Sequence, residues 1–303
     1  MPFKHVFLFM TFNILFTGCD VSSLESTVEN DPQTLHPSKI TLLSKPIILH
    51  SPEISEASDI AYDDETQTLY IIGDKGILYS YDVSFNENQL ILDYQNTQTI
   101  SSLNPNMKID SEGLTTNDTN ELIISFEGKP RISQLSTEGK IKKDYILPKE
   151  LNTPSNYVDG NKMLESVAWH KNYGILTASE YPLGGKKNTE QTIYSLNGKN
   201  WHFKAEPYTD NAITAIEVMD DDHLLILERA YKKGKVPSFY ITLKKLYIEE
   251  CNENQLCKSE ILYAEKLDFK NYEGLTKIGE NHYLMINDNQ DKLSTDFIYF
   301  TIE

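Results

Sequence analysis

The sequence predicts an all-β chain: a single β-propeller of five four-stranded blades, closed by a strand near the N-terminus. Three observations predict it: a pair of short apolar strands recurs five times, its copies lie about 53 residues apart, and the last copy is one strand short. The copies begin at Asp59, Glu112, Glu165, Thr214 and Glu273, separated by 53, 53, 49 and 59 residues. Repeats of this length built from short strands belong to propeller blades. Residues 39–303 number 265, which at 53 per unit gives five blades; six would need a unit that is not visible.

The elements follow in order within each unit. The first two strands run between polar ends: Asp59 to Asp74, Glu112 to Glu127, Glu165 to Glu180, Thr214 to Glu228 and Glu273 to Asp288. Third strands are expected at Leu78–Tyr81, Ile132–Leu135, Ile193–Leu196, Phe239–Leu243 and Ile298–Ile302. Fourth strands are expected at Tyr145–Leu147, Trp201–Lys204 and Glu260–Ala264. The last unit has no fourth strand, so Ile40–Leu49 is expected to pair beside Phe297–Ile302 and remove the open sheet edge.

Ahead of the repeats lie two segments of different character. Residues 1–18 hold Lys4 and an apolar run from Val6 to Phe16, too short to span a bilayer and suited to a signal peptide. The run ends in Phe16-Thr17-Gly18-Cys19, which resembles a bacterial lipobox. That resemblance implies cleavage before Cys19, lipidation of Cys19, a membrane partner through the lipid anchor, and a place in the bacterial cell envelope. Residues 19–38 are polar and acidic, a composition suited to a flexible tether.

Composition narrows the function. With 28 Lys+Arg against 45 Asp+Glu the formal charge is −17, and only two of the basic residues are arginines, Arg131 and Arg229. No nucleic acid is expected as partner, since a phosphate backbone calls for a basic surface. Cys251 and Cys257 flank a short polar loop between two β-rich stretches, and export to an oxidising compartment favours a disulfide between them.

In a propeller hairpin the start of the innermost strand and the end of the second lie on one edge. Asp59, Asp74, Glu112, Glu127, Glu165, Glu180, Glu228, Glu273 and Asp288 are therefore expected to gather at one mouth of the central channel. Nine carboxylates there would raise one another's pKa unless cations neutralise them. An all-oxygen donor set suits a hard cation such as Ca²⁺. The basic residues that follow the second acids, among them Lys75, Lys129, Arg131, Arg229 and Lys232, offer a competing neutralisation or a seat for an anionic group.

The ordered set Asp110-Ser-Glu-Gly-Leu, Ser125-Phe-Glu-Gly-Lys-Pro-Arg131, Leu227-Glu-Arg229 and Tyr272-Glu-Gly-Leu with Asn287-Asp-Asn289 resembles the phytase-like family, whose members are described as having esterase-like activity of phytase. The resemblance implies a propeller and a relation to calcium-dependent hydrolysis of a phosphorylated small molecule. By motif it carries over Glu112, Glu127, Arg131, Glu228 and Arg229 as catalytic candidates, and Glu273, Asp288 and Asn289 as site residues. The ring itself nominates Asp59, Asp74, Glu165 and Glu180 as further metal ligands. Blade three departs from the pattern with Glu165-Ser-Val, and blade four with Thr214 in place of an acid.

Overall fold

The computed structural model describes residues 38–43, 47–50, 54–86, 89–101, 109–186, 188–236, 238–288 and 295–303. The expectations for Cys19, for the segment 1–18, for the tether up to residue 37 and for Asn289 lie outside the described residues.

Two short strands, β1 (Ile40–Leu42) and β2 (Ile47–His50), precede the repeats. Blade 1 is then β3 (Ala57–Asp63), β4 (Thr68–Gly73), β5 (Ile77–Asn86) and β6 (Gln89–Thr99). Blade 2 is β7 (Ser111–Thr116), β8 (Leu122–Phe126), β9 (Arg131–Leu135) and β10 (Ile141–Asp144). Blade 3 is β11 (Leu164–His170), β12 (Gly174–Ser179), β13 (Glu190–Ser195) and β14 (Asn200–Lys204). Blade 4 is β15 (Asn211–Val218), β16 (His223–Lys232), β17 (Ser238–Cys251) and β18 (Cys257–Asp268). Blade 5 is β19 (Asn271–Gly279), β20 (His282–Asp288) and β21 (Phe297–Ile302), completed by β1. The expected five-bladed propeller is therefore the fold.

The innermost strands touch in the cyclic order β3, β7, β11, β15, β19 and back to β3. Five apolar clusters fill the five gaps between neighbouring blades. Successive residues of a strand point to opposite faces, so a central strand serves two gaps at once. In β8, Leu122 and Ile124 pack toward blade 1 while Ile123 packs toward blade 3. This is why these strands read as unbroken apolar runs rather than as alternation.

Ring closure differs from the expectation in one respect. Ile40, Thr41 and Leu42 pair antiparallel with Ile302, Thr301 and Phe300 as foreseen. The rest of Ile40–Leu49 does not continue beside β21: β2 crosses to blade 1 and pairs parallel with β6, Ile47 opposite Leu90 and His50 opposite Asp93. The N-terminal segment thereby fastens blade 5 to blade 1 on both sides of their junction.

The fourth strand of blade 2 also lies elsewhere than expected, at Ile141–Asp144 rather than Tyr145–Leu147. A tight turn, with Gly139 at φ +75° and its N–H donated to Ser136 O, returns the chain early. Tyr145 and Leu147 pack instead between blades 2 and 3. In blade 4 the disulfide Cys251–Cys257 caps the β17–β18 hairpin, as expected. That hairpin clasps blade 3, where His202 N donates to Gln255 O at 2.8 Å and Trp201 Nε1 to Ile248 O at 3.0 Å.

Candidate metal centre

The inner hairpin of every blade carries the same irregularity at the same place. Ala57 pairs with Gly73, Ser111 with Phe126, Leu164 with Ser179, Ile213 with Glu228 and Tyr272 with Asn287, and the register shifts directly after each. A bulge leaves a residue unpaired and re-aims it. The positions that begin these shifts are Ser58, Glu112, Glu165, Thr214 and Glu273. The residues just beyond the second strand's paired member are Asp74, Glu127, Glu180, Arg229 and Asp288.

Seven of these ten carry carboxylates, and all seven line one cavity of about 240 Å³: Asp74, Glu112, Glu127, Glu165, Glu180, Glu273 and Asp288. Arg229, Asn161 and Lys162 complete the lining. One oxygen from each of Glu127, Glu165 and Glu180 lies within 4.8 Å of the others, and all three residues are buried. Glu127 Oε1 accepts the Met163 N–H at 2.6 Å. Glu165, 9% exposed, has no hydrogen-bond or ion-pair partner among the described residues.

Two cations enter this anionic cavity. Arg229 reaches Glu180 Oε1 through Nη2 and Glu273 Oε1 through Nη1, each at 3.0 Å, and Nη1 also donates to Asn271 Oδ1 at 3.0 Å. Lys162 Nζ lies 3.0 Å from Glu180 Oε2. Burial opposes the charge on both, but Glu273 and Glu180 outweigh it at Arg229, and Glu180 outweighs it at Lys162, so both pKa values rise.

Five acids of the cavity titrate high. Burial, then Glu127, Glu273 and Asp74, hold Glu112 well above the ordinary range. Burial and the charge of Glu180 do the same to Glu165. Burial pushes Glu127 up to about 7 and Glu273 up to about 8 against their hydrogen bonds and, for Glu273, against Arg229. Burial also raises Asp74. The cause is shared: closely spaced anions removed from water with too little compensation.

Three expected site residues are placed elsewhere. Asp59 lies one residue past its bulge, so it turns away from the cavity; Ser58 holds the ring position and donates to Asp74 Oδ1 at 3.3 Å. The Asp59 carboxylate is buried and accepts backbone N–H groups of Ile60 at 2.8 Å, Leu114 at 2.8 Å and Leu275 at 3.1 Å. Glu228 is also turned from the cavity, since its neighbour Arg229 takes the ring position. It forms a buried ion pair with Lys244 at 2.7 Å and accepts from Asn211 Nδ2 at 2.8 Å. Arg131 stacks over the Phe126 ring at 3.9 Å, away from the cavity lining.

The glycines of the two E-G-L segments have a packing reason. A Cβ on Gly113 would stand 2.6 Å from Val167 N, and one on Gly274 would stand 2.9 Å from Asp59 Cα. Only a bare backbone fits where adjacent inner strands approach so closely. Sequence reasoning did not find Asn161, Lys162 or Asn271. The first two arrive on the long β10–β11 connection, for which no motif exists. Arg229 had a signal: it stands 15 residues after Thr214, the same interval that separates Glu112 from Glu127.

No curated protein matches the chain. Among solved structures it is similar to virginiamycin B lyase from Staphylococcus aureus, at 10% identity over 82% of this chain and 96% of that one, with a TM-score of 0.39. It is similar to a luciferin-regenerating enzyme at 9% identity over 82% and 92%, with a TM-score of 0.44. It is also similar to the PQQ-bound aldose sugar dehydrogenase from Streptomyces coelicolor at 8% identity over 88% and 99%, with a TM-score of 0.41. No chemistry follows from likenesses this distant. The family model for phytase-like proteins, described as esterase-like activity of phytase, matches residues 52–291, and the chain belongs to that family.

Proposed function

We propose that this protein is a lipid-anchored phytase-like propeller of the bacterial cell envelope that binds Ca²⁺ in its channel-mouth cavity and, so loaded, hydrolyses a phosphorylated small molecule. The observation that carries the reading is the charge imbalance among the described residues: seven carboxylates against Arg229 and Lys162 in one cavity of about 240 Å³. The donors fit a hard cation, because among the described residues every lining side chain that can ligate does so through oxygen, with no Cys or His among them. Glu127, Glu165 and Glu180, whose oxygens already converge, would hold the ion, with Glu112 and Asp74 alongside.

Bound there, the ion supplies charge neutralisation and Lewis acidity toward phosphoryl oxygens. The chain's own residues do the rest. Lys162 stands at the rim, one-third exposed, where it can meet an oxyanion. Arg229 fixes Glu180 and Glu273 relative to each other across blades 3 and 5.

A second reading is a non-catalytic cation- or ligand-binding lipoprotein. It is favoured by Arg229 facing the ring's own acids instead of open space. The test is hydrolysis of a phosphomonoester panel by the mature domain, with Ca²⁺ and with chelator. Turnover that needs Ca²⁺ supports the enzyme. A Ca²⁺-induced rise in Tm without turnover supports the binding protein, and neither effect removes both readings.

A further inference from the structure

We propose that Arg229 is a built-in counter-cation that occupies one cation position of the ring and thereby limits how many divalent ions the cavity accepts. The inference rests on the cation-binding reading above and goes beyond it, because it assigns a residue that sets the metal stoichiometry.

The argument starts from register. Asp74, Glu127, Glu180 and Asp288 each directly follow the residue paired across from the bulge, and Arg229 directly follows Glu228 in that same place. Blade 4 therefore keeps the backbone device of the other four blades and reverses the charge it delivers. The side chain is 16% exposed, and its guanidinium bridges Glu180 of blade 3 and Glu273 of blade 5 at 3.0 Å on either side. Joining carboxylates from different blades through oxygen contacts is what a bound metal ion would do at that point. Unlike an ion, a guanidinium neither dissociates nor loses its proton.

The consequence is a cavity of two unlike halves. On the blade 3–5 side, Glu180 and Glu273 already share a cation from within the chain, Arg229 at 3.0 Å from each. On the blade 1–3 side no cationic side chain among the described residues touches Glu112, Glu127 or Glu165, and Glu165 lies buried with no side-chain partner among them. Ion uptake thus belongs to the second half, completed by Glu180, which has an oxygen within 4.8 Å of those of Glu127 and Glu165, and a second ion beside Glu273 enters only once Arg229 is gone.

The experiment is flow dialysis with radioactive Ca²⁺ on wild type, Arg229→Glu, Arg229→Gln and Lys162→Gln, with circular dichroism confirming an intact β-fold. Either Arg229 variant is expected to bind one more ion per chain than wild type. Lys162→Gln is expected to tighten binding without adding an ion, because Lys162 meets Glu180 from the rim and joins no second blade. Arg229→Gln, the milder change, decides the matter if the Glu variant does not fold. Equal stoichiometry in wild type and folded Arg229 variants overturns the inference. If wild type binds no Ca²⁺, the function proposed above fails. In that case a first ion gained by the Arg229 variants still upholds the counter-cation, and no gain overturns it as well.

Discussion

Asp59 Oδ2 accepts the backbone N–H of Leu114 at 2.8 Å, tying the inner strand of blade 1 to that of blade 2. Its Oδ1 holds Leu275 of blade 5 at 3.1 Å, so one carboxylate pins three blades at the channel wall. Removing it orphans buried donors at roughly 1–3 kcal/mol each. Asp59→Ala is therefore expected to lower stability by about 3–5 kcal/mol while leaving the Ca²⁺ response unchanged. Urea unfolding with and without Ca²⁺ measures both. A mild variant that has lost its Ca²⁺ response would return Asp59 to the metal site.

The contrast between Asp59 and Ser58 marks where the sequence stops being legible. Blade number and the polar ends of the hairpins follow from repeat length and apolar runs, which one-dimensional spacing records faithfully. A bulge is different, because one extra residue flips every later side chain to the other face. It turned Asp59 away from the cavity and gave Ser58 the ring position. In blade 4 the acid Glu228 looked like the ring member, yet the constant interval of 15 pointed to Arg229. The cavity residues Asn161 and Lys162 come from a loop whose path depends on tertiary packing alone.

Glu165 and Glu228 are both buried acids of inner hairpins, and they should respond oppositely to the same substitution. Glu165 lacks a partner among the described residues, whereas Glu228 is paired with Lys244. Glu165→Gln removes an uncompensated charge, so the Ca²⁺-free protein should gain stability and lose most of its Ca²⁺-induced rise in Tm. Glu228→Gln strips buried Lys244 of one of the two carboxylates it meets among the described residues, leaving it Glu206 at 2.9 Å, and should cost about 1–3 kcal/mol. Its Ca²⁺ response should persist. Thermal melts of both variants with Ca²⁺ and with chelator decide this, and a Ca²⁺ response lost only in Glu228→Gln would reverse the assignment.

The N-terminal expectation has its own test. Expressed with its leader in a bacterial host, the chain should partition into detergent, and the mass of its N-terminal peptide should match Cys19 carrying acyl chains. Several such chains at about 0.8 kcal/mol per buried methylene give a durable anchor. Cys19→Ala should leave the protein in the aqueous phase. A mature terminus elsewhere, unmodified, would refute the lipid anchor.

The pH dependence of stability follows from the raised carboxylates. Glu127 titrates near 7 and Glu273 near 8 in the folded chain, against an ordinary glutamate value of 4.5. Between about pH 4.5 and 8 the folded state therefore holds more protons than the unfolded one, and stability falls as pH rises. The contribution is complete below the unfolded value and is lost as pH passes through 7 to 8. Surface acids with lowered values, such as Glu121 and Glu260, act in the opposite sense but have done so by about pH 5, leaving the upper window to the cavity and to Glu217, an acid outside it that burial pushes up to about 7. In chelator, Tm should decline from pH 5 to pH 8, by about 2–4 °C for each kcal/mol lost. Ca²⁺ competes with those protons, so its binding should release them and remove most of the decline above pH 7. Scanning calorimetry across that range, with and without Ca²⁺, gives the two curves. A chelated protein whose Tm rises toward pH 8 would mean that Arg229 and Lys162 neutralise the ring unaided, and that the cavity has no need of an ion.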